Sequence, residues 1–292
     1  MTLLKNKILS PYQSDIFLLW ILRGLALITG VIVILITGFL LLEALPILQQ
    51  LGWWRFVKDP SWHPVEGFYN LMPMLWGSLL VTLGSVMFAA PLGIGSAIFC
   101  QYYAPPLITR FYRQLIELLA GIPSVVYGFW GLVVLVPLIG KLQAPGTSLL
   151  AGIAILTLMI LPTIALTAEA SFSEVPTEYI QGAAALGISP WSTIRSVVLP
   201  AAKSGLFTGL ILGTGRAIGE TMAVLMVCGN VVQTPKSIFD PVRTLTANIA
   251  LEMAYATGNH RSALFVNGLL LMIAIAALVV IAEVISRRDI YG

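Results

Sequence analysis

Arg216 and Glu220 stand four residues apart inside an apolar run, Leu206–Val227. A continuous helix would put them on one face, close enough to pair. A charge at the centre of a bilayer costs roughly 2.5–3.5 kcal/mol on insertion scales, so such residues face a cavity or a partner. The planar fork of arginine donates two parallel hydrogen bonds to an oxyanion. Two readings follow. The residues form either a structural ion pair that fixes helix packing or the polar lining of an anion path. The hydroxyls of Thr214 and Thr221 stand beside them and belong to the same candidate path. Gly209, Gly213 and Gly219 would let another helix approach closely.

Other chemistry is sparse. There is no G-x-x-x-x-G-K-[ST] loop, so ATP is not bound here through a Walker A motif. The run GTGRAIGE is spaced G-x-G-x-x-x-G and has no βαβ context, so it does not read as a dinucleotide loop. His63 and His260 are far apart and give no metal-site spacing. Cys100 and Cys228 lie in apolar runs and suggest buried small hydrophobes. No nucleophile–base set is visible. The chain reads as a non-enzyme with no metal and no cofactor of its own.

The elements that must position these residues are membrane spans. The chain has 292 residues, is 58% hydrophobic and only 10% charged, against roughly 25% charged for a soluble domain. The net charge of +3 is scattered, which argues against nucleic acid as a partner. A span needs about 20 apolar residues. Six segments meet this: Ile16–Leu42, Leu71–Cys100, a third following Glu117 and reaching Gly140, Leu142–Ala168, Gly205–Val227 and Ser262–Ala282. The first is too long for a cleaved signal. The reading is all-α: one polytopic domain over residues 1–292, in contact with membrane lipid.

With the N-terminus inside, the inner flanks carry Lys5, Lys7, Arg23, Arg110, Arg113, Arg195, Lys203, Arg287 and Arg288. The outer loops carry Arg55, Lys58, Lys141, Lys236, Arg243 and Arg261. That excess favours two cytoplasmic termini. The outer loop Gly52–Pro64 is rich in Trp and reads as an interfacial anchor or a binding surface for an external partner. Pro91, Pro123, Pro137 and Pro162 fall inside spans and predict kinks. GIPSVVYG, Gly121–Gly128, is the best candidate for a bend.

The inner loop at about 171–204 has its own structure. Pro176 suits the first position of a short helix that Gly187 closes, and Ser189-Pro190 starts a second one that Leu199-Pro200 ends. Two capped helices in a cytoplasmic loop suggest a docking surface.

Gln181 to Pro200 resembles the EAA loop of ABC importer permeases: E-A-A, three residues, G, nine residues, I-x-L-P. Ala183, Gly187, Leu199 and Pro200 match, and Val197 takes the isoleucine place. Gln181 replaces the glutamate and Gly182 an alanine. GRAIGETMAV, Gly215–Val224, together with GIPSVVYG, resembles the C-type membrane subunits of high-affinity phosphate (Pst) importers. FYNLMPMLWGSLLVT, Phe68–Thr82, is also similar to that family.

The resemblance implies a type I ABC importer permease fold in the bacterial inner membrane. It implies a second homologous permease subunit, two cytoplasmic ATPase subunits that use the ATP, and a periplasmic phosphate-binding protein. Gln181, Ala183, Gly187, Leu199 and Pro200 would couple to the ATPases. Arg216, Glu220, Thr214 and Thr221 would serve phosphate passage. Residue chemistry alone leaves sulfate or molybdate open as substrate. It also leaves a self-sufficient ion-coupled carrier as the rival mechanism.

Overall fold

The computed structural model describes residues 11–288. Lys5 and Lys7, used above for orientation, lie outside them. The described chain is helical apart from one short hairpin, β1 (Trp62–His63) with β2 (Phe68–Tyr69), in which Trp62 faces Tyr69. Four helices are long and apolar enough to cross a membrane, or up to six if each of two bent pairs counts as one span.

The first helix, α1 (Pro11–Leu51), packs mainly against the last, α11 (Gly258–Arg288). Its apolar side chains stay exposed along most of its length, including Leu27, Ile34 and Leu42. That is the pattern of a helix facing lipid. The central helix is α5 (Leu149–Ser173), against which α2 (Met72–Tyr102) and α8 (Lys203–Gly219) pack. Small residues let α8 approach. A Cβ on Gly209 would sit 3.1 Å from Thr167, and one on Gly213 would sit 3.0 Å from Ile164. Gly205 continues this stripe one turn earlier, against Ser171. Gly219 does not belong to it: the space around Gly219 is open.

Three expected spans have different starts or courses. The third begins at a bend. The amphipathic helix α3 (Pro106–Gly121) turns by 96° into α4 (Ser124–Gly140). Ile122 and Pro123 are extended at the corner, because proline disfavours helical backbone before it. Residues 118–121 therefore belong to α3 and not to the span. The fourth starts at Leu149 rather than Leu142, because Pro145 and Gly146 form a turn first. Ser148 caps it by accepting from the Ala151 N–H. The fifth is broken, as described below. Pro91 and Pro162 sit inside α2 and α5 without ending them.

The loop after the broken span is not simply external. It contains a buried helix, α10 (Leu245–Glu252), capped by Thr244. Leu245 donates its N–H to Ser78 of α2, and its carbonyl accepts from Asn267 of α11. Arg243, counted above among the outer-loop cations, is paired with Glu252 at 2.6 Å. The Trp-rich loop also divides. Trp53 and Trp54 are exposed, but Trp62 is buried and bonded to Glu252, so it is no interfacial anchor.

Candidate functional site: a broken span and a two-helix loop

Helix α8 ends at Gly219. Glu220 is extended, with φ −69° and ψ 130°, and a short helix, α9 (Met222–Val227), follows. The expectation of Arg216 and Glu220 on one continuous helical face fails here, because the helix ends between them. Among the described residues no ion pair joins them.

Each has another partner. Arg216 donates from Nη1 to the Thr163 hydroxyl of α5 at 3.3 Å. Glu220 accepts at Oε1 from the Ala223 N–H, 3.0 Å away, and so caps α9. The Glu220 carbonyl accepts from the Thr246 hydroxyl of α10 at 2.9 Å. Thr214 spends its hydroxyl on the Leu210 carbonyl of its own helix, and Thr221 bonds the Gly219 carbonyl. Of the four residues expected to form the path, Arg216 alone keeps most of its donors available.

Its surroundings suit that availability. Arg216 is half-buried on a face of α8 that it shares with Leu212 and Gly219, both exposed. A Cβ added at Gly215 or Gly219 would meet nothing within 4 Å. Arg216 continues the α5-facing side of α8 beyond Gly209 and Gly213, where its guanidinium reaches Thr163, while the neighbouring side at Gly215 and Gly219 is open. The result is one guanidinium, past the midpoint of α5, beside open space. Tyr127 of α4 lies within its electrostatic reach.

At the other end of α5 the chain enters the two-helix loop. Helix α6 (Thr177–Ala185) starts with Pro176 as its N-cap, not its first residue. Gly187 has φ +73°. Its N–H bonds the Ala184 carbonyl, and the Ile188 N–H bonds that of Ala183. These two bonds make a Schellman close. Ser189 then caps α7 (Pro190–Ala201), with Pro190 in the first turn.

Leu199-Pro200 does not end α7. The backbone widens into a π turn over Ile194–Val198 and stays helical through Ala201, then bends by 71° into α8. The wide turn accommodates a proline that has no N–H to donate. The same device precedes Pro137, after the π turn Gly131–Leu135.

The residues matched to the loop motif have distinct places. Ala183 is buried and Leu199 packs against the buried cluster of Phe172 and Val198. These two hold the loop to the bundle. Gln181 and Pro200 are exposed. Sequence reading missed an apolar patch beside them: Tyr179, Leu186, Ile188 and Trp191 are exposed, Leu186 by 80%.

A third cluster also escaped the sequence reading. Glu252 accepts from Trp62 Nε1 at 2.9 Å, pairs with Arg243, and bonds His260 Nε2 at 2.8 Å. A pocket of about 510 Å³ opens beside it. His63 lines that pocket but bonds Ser61, and among the described residues no three metal-type ligands converge.

Comparison with known proteins follows this geometry. The family model described as "Binding-protein-dependent transport system inner membrane component" matches residues 89–289. A "Probable ABC transporter permease protein YqgH" of Bacillus subtilis is 41% identical over 240 residues, 80% of this chain and 78% of that one. A "Phosphate transport system permease protein PstC" of Xylella fastidiosa is 37% identical, covering 82% of this chain and 80% of its own. The PstC of Haemophilus influenzae is 33% identical over 86% and 89%. In fold, the chain resembles a bacterial alginate ABC transporter with TM-score 0.66, over 95% of this chain and 98% of that chain, at 14% identity. It resembles the MetNI methionine ABC transporter with TM-score 0.60, over 75% and 95%, at 21% identity.

The cap assignment is testable without transport. Glu220→Ala removes the acceptor and should cost about 1 kcal/mol, lowering the thermal midpoint of the purified protein. Glu220→Gln keeps an acceptor oxygen and should leave the midpoint near wild type. Equal losses in both would assign the effect to charge instead of capping.

Proposed function

We propose a substrate and partners for this chain from the premise that it belongs to the family of binding-protein-dependent transport system inner membrane components, the permease subunits of ABC importers. It is the C-type membrane subunit of a phosphate importer and forms half of the translocation pathway. A second homologous permease subunit supplies the other half. Two ATPase subunits dock on the two-helix loop, and a periplasmic phosphate-binding protein delivers the anion to the opposite face. The observation that carries this reading is Arg216 beside open space at a helix break. The names of relatives at 33–37% identity support phosphate over other oxyanions.

The mechanism follows from the chain's own groups. The Arg216 guanidinium gives parallel donors to the anion, and Thr163 holds its angle. Glu220 shapes the pathway by ending α8 and starting α9, while Thr214 and Thr221 satisfy carbonyls along it. On the loop, the exposed Tyr179, Leu186, Ile188 and Trp191 seat the ATPase beside Gln181. ATP-driven movement of α6 and α7 reaches α8 through the bend at Ala202. Both termini are cytoplasmic, on the loop's side.

Three measurements test this. First, Arg216→Gln in the assembled complex should leave assembly intact and remove about 3 kcal/mol of charge-assisted bonding, roughly a hundredfold in uptake. Phosphate, not sulfate or molybdate, should compete with uptake by the wild type. Substantial uptake by the variant would remove Arg216 from the path.

Second, Gly187→Val forces a β-branched residue into positive φ, which Asn tolerates better. Normal insertion with lost ATPase association is expected for Val, and partial association for Gly187→Asn. An unimpaired Val variant would dismiss the docking role.

Third, orientation is read by labelling. In a chain without Cys100 and Cys228, a cysteine at Lys236 should react with an impermeant reagent from outside, and one at Glu178 should not. The reverse pattern would invert the topology.

A further inference from the structure

Helix α10 touches both the outer pocket and the break in the span. Its last residue, Glu252, has a side chain only 10% exposed. That carboxylate gathers Trp62 from the hairpin, Arg243 from the preceding loop and His260 from the first turn of α11. Val65, at the hairpin tip, is 97% exposed on the rim of the pocket beside it, and Tyr255 is also exposed there. At its other end, Thr246 is 7% exposed and donates to the carbonyl of Glu220, four residues from Arg216. Between these ends α10 is largely buried and short, so it moves as one piece.

We infer that α10 transmits docking of the delivery protein at the outer pocket to the break beside Arg216, with Thr246 as the positioning residue at the inner end. This rests on the reading of the chain as a permease fed by such a protein. The partner is a loop of that protein, received between the apolar rim at Val65 and Tyr255 and the polar floor at Glu252.

A second observation concerns the seam between α10 and α11. Asn248 Nδ2 and Asn267 Oδ1 are buried and have no hydrogen-bond partner. Neither amide can simply be reversed. Asn248 Oδ1 takes Arg243 Nη1 at 3.1 Å, and Asn267 Nδ2 donates to the Leu245 carbonyl at 3.1 Å. An unpaired donor thus sits on α10 and an unpaired acceptor on α11, two helices that pack together. Buried polar groups are normally satisfied. These unmet amide groups mark the contact along which a movement of α10 would pass to the Glu220 carbonyl through Thr246.

The test uses the full complex with its ATPases and a phosphate-loaded binding protein. Thr246→Val keeps the side chain's shape and deletes the donor. The complex should assemble with a lowered thermal midpoint, because the Glu220 carbonyl is left unmet, and its basal ATP hydrolysis should stay at wild-type level. Stimulation by the loaded binding protein, and uptake, should fall by roughly tenfold, within the usual range of coupling between sites. Thr246→Ser should restore both. If the Val variant does not assemble, Thr246→Ala is judged by the same criteria. Wild-type stimulation in the hydroxyl-free variant overturns the inference, and so does equal loss of basal and stimulated hydrolysis. A wild-type complex that ignores the loaded binding protein overturns the functional reading itself, and the inference with it.

Discussion

A helix cannot simply stop inside a bilayer. Its last carbonyls and the next helix's first N–H groups have no water to bond, and each unmet group costs several kcal/mol. The break at Gly219–Thr221 meets this constraint with local groups. Glu220 accepts from Ala223, Thr221 bonds Gly219, and Thr246 reaches across from α10 to the Glu220 carbonyl. Most of the polar residues in this part of the chain serve that requirement. It explains why α10 lies buried against the break instead of in solvent, and why Ser78 of α2 and Asn267 of α11 turn polar atoms inward to hold it.

The break also depends on how α8 is held. Gly205, Gly209 and Gly213 bring it against α5 at closest approach. Without hydrophobic drive between helices in lipid, this close packing is a main source of association. It fixes one face of α8, brings Arg216 within reach of Thr163, and leaves the side of Gly215 and Gly219 open. The same helix is joined through Ala202 to α7, so the two-helix loop and α8 belong to one bent element. On the proposed coupling, movement of the loop has a direct covalent route to the arginine.

Much of this was legible in the sequence, and the rest was hidden for physical reasons. Apolar length gave the long helices, since length is what a bilayer demands. The Gly187 turn and the Ser189 cap were readable because each motif needs a particular residue at one position. The break at Glu220 was not readable. An apolar run with two charges at i and i+4 looks the same whether the helix continues or stops, and Gly219 served equally well as a packing glycine. Helix α10 was missed because its threonines and asparagines look like a polar loop. They are polar because they face carbonyls and a guanidinium, not water. The Glu252 cluster joins Trp62 to residues nearly two hundred positions later, and no local pattern signals such a contact.

On the proposed reading of Arg216 as an anion site, its separation from Glu220 has a consequence that magnitudes decide. Opening a buried ion pair by removing one partner costs about 3–5 kcal/mol. An arriving anion would have to displace the carboxylate against a cost of that order. A single bond to a hydroxyl contributes only about 0.5–1.5 kcal/mol. Held by Thr163, the guanidinium keeps its orientation without a direct ion pair to Glu220. An anion can then bind without first breaking a pair. Release is eased as well, because conduction requires binding favourable enough to enter and weak enough to leave. With Glu220 committed to a backbone N–H, the carboxylate builds the break that exposes the arginine and does not compete for it.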